Sequence, residues 1–433
     1  MKFDFTTVPE RKGKDAIAVD IPVLNGFDIN ETVKPGFDLI PMWVADMNFV
    51  VPACITDTVS ERLEHPSFGY YLIRDEYYDS ILRWHEERHG ISDITKETIG
   101  YENGLLGGLV SSLKVLLPEG GKVLLHSPTY IGFTHVLKDN GYKIVSSELV
   151  KDQDGTWRMD LSDMEKKIKD GKIKVAVFCS PHNPTGRVWS REELEQAAEL
   201  FERYSVTVIS DEIWSDLILF GNRHIPFASV SKYAHNNTVE LYAPSKTFNL
   251  AGLIGSYHVI YNPKLRNKIE TYEKATSYNS MNVLSMYALI GAYSEEGSEW
   301  VDDLIHVLEE NVDLALNSLK KVPGITVERP QGTYMLFLDC KEFCEKNELT
   351  LDELLKKGME VGVLWQDGRP FGGTHTIRMN LASPTHRIQE ALKRLGKHVW
   401  GLPESIWEPL TSMWEAFNPW NMFLKKDEDS DKD

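Results

Sequence analysis

The sequence predicts an α/β protein with a large domain built on a mostly parallel sheet covered by helices, followed by a smaller α+β domain. Three observations lead there. Short β-branched runs alternate with longer helical patterns through the middle of the chain. Several of those runs are apolar almost without a break, as strands covered on both faces are. After about residue 290 the alternation gives way to one long helical stretch and scattered short strands.

In chain order, residues 122–126 (KVLLH), 143–145 (KIV), 174–179 (KVAVFC), 206–210 (VTVIS), 239–243 (VELYA) and 257–261 (YHVIY) read as strands. Between them the clearest helix spans 190–204. Ser190 is its expected N-cap, and Glu193 three residues later completes a capping box. The second part reads as a helix over 299–319, strands near 324–327 and 332–339, a helix near 351–358, a strand near 376–380 and a last helix near 386–397. This divides the chain into a large domain over 46–289 and a small one over 290–400, to which residues 1–45 contribute. Residues 401–433 form a tail with Trp407, Trp414 and Trp420 and an acidic end, whose last eight or so residues read as disordered. Ile406, Leu410, Met413 and Phe417 recur at helical spacing there, so a short amphipathic helix is expected, docked on the body or across a dimer contact.

Composition excludes whole classes of function. With 433 residues, 42% hydrophobic and 26% charged, the chain is long enough for two or three domains and has ordinary globular composition. Its 47 basic against 65 acidic residues leave a net charge of −18, which argues against nucleic acid or an anionic membrane as partner. Four cysteines are too few for a disulfide framework and favour a reducing compartment. The start (MKFDFTTVPERKGKD) is charged where a secretory signal needs an apolar stretch, and no apolar run approaches membrane-spanning length. A soluble, cytoplasmic protein is expected.

One motif competes for attention. His85-Glu86-Glu87-Arg88-His89 has the H-E-x-x-H spacing of a zinc hydrolase. The plainer expectation is a surface helix with Ile81 and Trp84 inward and the charged residues in water. Gly90 ends that helix, and no third ligand follows at a recognisable spacing. Cys340 and Cys344 lack nearby histidines and read as two half-buried thiols. No metal site is expected.

The informative residues lie at strand ends, where α/β sheets place their ligands. Ser180-Pro181-His182-Asn183-Pro184-Thr185-Gly186 follows one apolar strand, Asp211-Glu212 ends the next, and Pro244-Ser245-Lys246-Thr247-Phe248-Asn249 follows a third. Each has an ordinary reading: a turn, a structural acid, a solvated lysine. Together they form a set that suits pyridoxal 5'-phosphate (PLP) catalysis. Such catalysis needs a lysine for the Schiff base, a carboxylate on the pyridine nitrogen and a donor to the ring oxygen.

From about residue 3 to residue 397 the chain resembles the fold-type I PLP enzymes of the class I/II aminotransferase superfamily, and within them the cystathionine β-lyase-like C–S lyases (the MalY/PatB group). The stretches that carry the resemblance are residues 41–47 (PMWVADM), 68–70 (FGY), 127–130 (SPTY), 180–186, 210–213 (SDEI), 244–249 and 377–380 (IRMN). It implies an aspartate aminotransferase-like fold with a seven-stranded-type sheet, and a homodimer with shared active sites. Lys246 would bear the cofactor and move the Cα proton, Asp211 would pair with the ring nitrogen, Asn183 would bond the ring oxygen and Tyr130 would stack on the ring. The N–H groups of Leu105 and Leu106, with Ser245, would hold the phosphate, and Tyr70 would reach it from the neighbouring subunit. Arg378 would grip the substrate carboxylate, helped by Asn183 and Tyr70.

Three positions depart from the wider superfamily pattern. Trp214 stands where Tyr or His is usual, Ala243 replaces a serine, and Ile254 replaces a phosphate-binding arginine. The loss of that arginine fits the lyase branch. The expected reaction is β-elimination from an S-substituted L-cysteine such as cystathionine. Tyr70, Tyr130, Trp214 and Trp365 are candidates to border the thioether. The competing readings are an aminotransferase for an apolar or aromatic substrate, a PLP-binding regulator, and the zinc hydrolase.

Overall fold

The computed structural model describes residues 1–278 and 280–403. The expected tail helix at 406–417 lies outside the described residues. The central sheet has eight strands. In chain order they are β1 (Ile99–Glu102), β2 (Lys122–Ser127), β3 (Lys143–Lys151), β4 (Trp157–Met159), β5 (Val175–Cys179), β6 (Thr207–Asp211), β7 (Thr238–Tyr242) and β8 (Ser256–Val259). Their spatial order is β1-β8-β7-β6-β5-β2-β3-β4. The inner pairs are parallel, whereas β8 runs antiparallel to both its neighbours and β4 is a short antiparallel addition at the edge.

The unbroken apolar runs have the cause that was expected. In β5, Val175, Val177 and Cys179 pack with the helix α1 (Leu105–Leu116) on one face. The intervening Ala176 and Phe178 pack with α2 (Arg191–Tyr204) on the other. Alternate side chains thus enter two separate cores, so every position is apolar. At the start of α2, Ser190 Oγ accepts from the Glu193 N–H and the Glu193 carboxylate accepts from the Ser190 N–H, the reciprocal box read from the sequence.

Beyond the sheet, α3 (Glu295–Leu319) begins four residues ahead of the expected start, because Ser294 caps it by accepting from the Gly297 N–H. A second sheet holds β9 (Met335–Asp339), β10 (Gln366–Asp367) and β11 (Thr376–Asn380). No strand forms at 324–327. Thr326 makes a single bridge to Asp339 there. The N-terminal segment packs on this second part: Ile40–Pro41 pairs in parallel with Val363–Leu364, and Arg394 binds the Asp38 carboxylate. Among the described residues no helix is long and apolar enough to cross a membrane.

The H-E-x-x-H segment departs from its expectation. The helix Asp75–Trp84 runs on into a wider π-type turn over His85–His89, closed by Gly90 at φ +69°. Both imidazoles are buried rather than in water. The widened turn swings them inward, where His85 Nε2 meets the Tyr257 hydroxyl at 2.9 Å and His89 Nε2 meets Asp216 Oδ1 at 3.1 Å. Cys340 and Cys344 are likewise fully buried, not half-buried.

Candidate active site

The carboxyl ends of β2, β5, β6 and β7 open onto a cavity of about 250 Å³. Lys246, Asp211, Asn183, Tyr130, Ser245 and the start of α1 all border it. The connections that follow four strands therefore bring together residues spread over more than a hundred positions, as a parallel sheet allows.

Lys246 sits in the tight loop after β7. Its Nζ donates to the Ala45 carbonyl oxygen at 2.8 Å. Enclosure by protein, and then the positive Arg378 nearby, lower its pKa to about 8. Asp211 is the last residue of β6, and its Oδ1 accepts from the Ile213 N–H at 3.0 Å. The Cys179 sulfur lies 3.9 Å from Oδ2. Burial pushes the Asp211 carboxyl up to about 7, against the pull of that N–H and of Lys246. A cationic N–H set against it would restore the charged form.

Asn183 is held in the loop after β5, with its Oδ1 accepting from Arg378 at 3.2 Å. The half-buried Tyr130 ring packs edge-on to Phe133 at 5.3 Å. Gly132 makes room for it, since a Cβ there would fall 2.3 Å from the ring. Helix α1 starts at Gly104 (φ +81°) with no side-chain cap and no acid in its first turn. The N–H groups of Leu105 and Leu106 thus reach the cavity as a ready anion site.

Arg378 stands just behind Asn183, in the middle of β11 and fully buried. It donates to the Trp43 carbonyl oxygen at 2.8 Å and to Gln366 Oε1, and lies over the Phe371 ring at 4.5 Å. Its Nε has no partner. Burial lowers its pKa to about 10.

Of the three departures, Trp214 borders the cavity with Lys246 Nζ 5.8 Å from its ring, packed edge-on against Tyr334 at 4.7 Å. Ala243 lines the wall. Ile254 takes a left-handed conformation (φ +47°, ψ 72°) rarely adopted by β-branched residues, and its carbonyl accepts from the Tyr101 hydroxyl at 2.8 Å.

Two aromatic residues lie elsewhere. Tyr70 is wholly exposed on an irregular segment outside this cavity. Trp365, a candidate to border the substrate, is turned away: its indole N–H donates to the Leu355 carbonyl oxygen at 3.1 Å and its ring covers Gly358. The neighbouring Gln366 accepts from Arg378 instead. Sequence reasoning missed Gln366, the Phe371 ring and the carbonyls of Trp43 and Ala45. Residues 41–47 did stand out, but a backbone carbonyl has no residue-type signature.

Comparison with known proteins adds the lineage. The family model "Aminotransferase class I and II" matches residues 46–395. Cystathionine β-lyase PatB of Bacillus subtilis (strain 168) is 34% identical over 361 residues, covering 83% of this chain and 92% of PatB. Protein MalY of Escherichia coli (strain K12) is 29% identical over 398 residues, 91% of this chain and 98% of MalY. The crystal structure of cystalysin from Treponema denticola, which contains PLP, superposes with a TM-score of 0.83 at 30% identity. That likeness covers 92% of this chain and 99% of cystalysin. With a cavity built on the strand ends that carry Lys246, Asp211 and Asn183, the chain belongs to the class I and II aminotransferase family, in the group that includes PatB and MalY.

Proposed function

We propose that this protein is a PLP-dependent carbon–sulfur lyase that cleaves S-substituted L-cysteines, such as cystathionine, to a thiol, pyruvate and ammonia. The observation that carries the reading is one cavity where an enclosed amine, a buried carboxyl and an uncapped helix start meet. Those groups fit PLP. The N–H groups of Leu105 and Leu106, with Ser245, suit its phosphate, Asp211 suits its ring nitrogen, Asn183 its ring oxygen and Lys246 its aldehyde carbon. When bound, PLP supplies an electron sink for the carbanion formed at the substrate Cα.

The chain's own residues do the rest. Lys246, with its pKa lowered to about 8, is a base for the Cα proton close to neutral pH. Arg378 holds the α-carboxylate, already aimed by Asn183, Gln366 and the Trp43 carbonyl. Tyr130 backs the ring, and the buried Trp214 offers an apolar wall to a sulfur-bearing side chain. Tyr70 of a second copy completes the phosphate site, so the working unit is a homodimer. Its full exposure in the single chain supports this.

We further assign residues 46–289 to the cofactor domain and 290–400, joined by 1–45, to the small domain. The pairing of Ile40–Pro41 with Val363–Leu364 supports that division. A cytoplasmic setting is in keeping with four unpaired cysteines.

The test is a product assay. Cystathionine or an S-alkyl cysteine should yield thiol, pyruvate and ammonia in equal amounts without added keto acid, while alanine plus 2-oxoglutarate should show little amino transfer. Absence of thiol release with fast keto-acid-dependent transfer would make the protein an aminotransferase instead.

A further inference from the structure

The buried H-E-x-x-H histidines have no part in the reaction described so far, and they do not share a ligand. His85 turns to Tyr257, while His89 turns to Asp216. Asp216 is the more informative partner. Its Oδ1 accepts from Trp84 Nε1 at 2.9 Å and from His89 at 3.1 Å, and its Oδ2 accepts from Thr247 Oγ1 at 2.8 Å. Thr247, fully buried, is the residue next to Lys246.

We propose that His89 is a positioning residue for Lys246, acting through Asp216 and Thr247. The proposal rests on the PLP reading of Lys246, and holds for lyase and aminotransferase alike. Three donors fix the Asp216 carboxylate from two directions, so it pins the Thr247 hydroxyl in one place. The main chain of Lys246 is then fixed from its next residue, while its amine reaches across the cavity to the Ala45 carbonyl. Removing His89 leaves Asp216 Oδ1 held by Trp84 alone and lets that anchor shift. A reacting group misplaced by about 1 Å can lose about a hundredfold in rate.

Several charged or titratable groups surround His89. Arg88 lies beside it on the chain, with its own bonds to Ser298 and Asp302. The His85 and His224 rings lie 5.2 and 5.5 Å away, and His224 pairs with Glu212. Burial lowers the pKa of His89, which Asp216 partly offsets, and the same contact holds the Asp216 carboxyl well below its usual range. The anionic end of the link is therefore Asp216.

The test uses PLP-loaded protein. His89→Leu and Thr247→Val should each lower kcat about tenfold or more, with KM within twofold. Both should shift the visible absorbance band of the lysine-bound cofactor. The double variant should be no slower than the slower single one, because both cut the same line. His89→Gln and Thr247→Ser, which keep a donor, should restore kcat and the band. A kcat within twofold and an unmoved band, with only a lower melting temperature, would make His89 a fold stabiliser and overturn the proposal; so would fully additive losses. If His89→Leu does not fold, Thr247→Val against Thr247→Ser carries the same test by kcat and band. Borohydride trapping on the wild type separates the two levels. An adduct on another lysine would sink the reading of the site itself, whereas an adduct on Lys246 with silent variants would sink the role of His89 alone.

Discussion

Asp211 and Lys246 on one side, and Glu102, His258 and Glu273 on the other, place ionisable groups inside the same sheet domain, yet the two sets are finished differently. In the second set His258 Nδ1 meets Glu102 Oε1 at 2.7 Å and Ser111 Oγ donates to Glu273 Oε1 at 2.8 Å. The two carboxyl groups also bond each other. Burial pushes each up to about 8, so they hold protons near neutrality. Their ligand atoms lie within 4.8 Å of one another, close enough for a metal ion. But the set is fully buried and walled in by glycines: a Cβ on Gly100 would fall 2.3 Å from the His258 ring, and one on Gly108 2.9 Å from the Glu102 carboxyl. Lys246 has one acceptor and Asp211 one backbone donor, and both border the cavity. Burial and a shifted pKa are common to both sets. Access to a ligand is what separates them.

Substitutions can sharpen or break that contrast. The largest effect is expected for Lys246→Ala, whose kcat should fall on the order of 10⁴-fold or more, because it removes both the cofactor link and the base. Peptide mapping after borohydride should then find no adduct at this position. Asp211→Ala should keep some cofactor but lose on the order of a hundredfold in kcat, and a near-normal rate would show that another group serves the ring nitrogen. Arg378→Lys should raise KM by about tenfold or more with a smaller change in kcat, since an ammonium cannot reproduce the two-pronged grip.

Uptake of PLP by the stripped protein gives a pH signature. The attacking amine must be neutral, and the Lys246 pKa is lowered to about 8. The rate should therefore rise with pH and level off above about 8, not above 10 as for a solvated lysine. The smallest effect belongs to the closed set. Glu273→Gln should leave kcat within twofold. In the wild type the native state holds the extra protons, so this pair makes stability fall as pH rises from the usual carboxylate range towards about 8. The variant should lose less melting temperature than the wild type between pH 5 and pH 8, by about 2 °C.

What could be read from the sequence was local. The segments 180–186 and 244–249, and the acid closing β6, were legible because each joins a strand pattern to its turn within a few residues. Their convergence followed from parallel-sheet geometry. Gln366 was not legible, because its role depends on antiparallel pairing with Arg378 across β10 and β11. Trp365 was misplaced for a related reason: side chains alternate, and the large aromatic residue faced the core while its polar neighbour turned to Arg378. The segment 85–89 read as an exposed helix because ordinary 3.6-residue periodicity does not foresee a π-type turn.

The adjacency of Asp211 to Glu212 and of Lys246 to Thr247 bears on how this chain tolerates insertions and deletions. A one-residue slip along a strand exchanges its two faces. At the end of β6 the exchange would replace one acid by another, a methylene longer, and leave a carboxylate facing the cavity. After β7 the flanking residues are Ser245 and Thr247, and no neighbour has an amine to offer. Length changes that the acid-bearing strand could survive would silence the lysine in the loop after β7, so lineages descending from this enzyme should vary in length around the first and hold the second fixed.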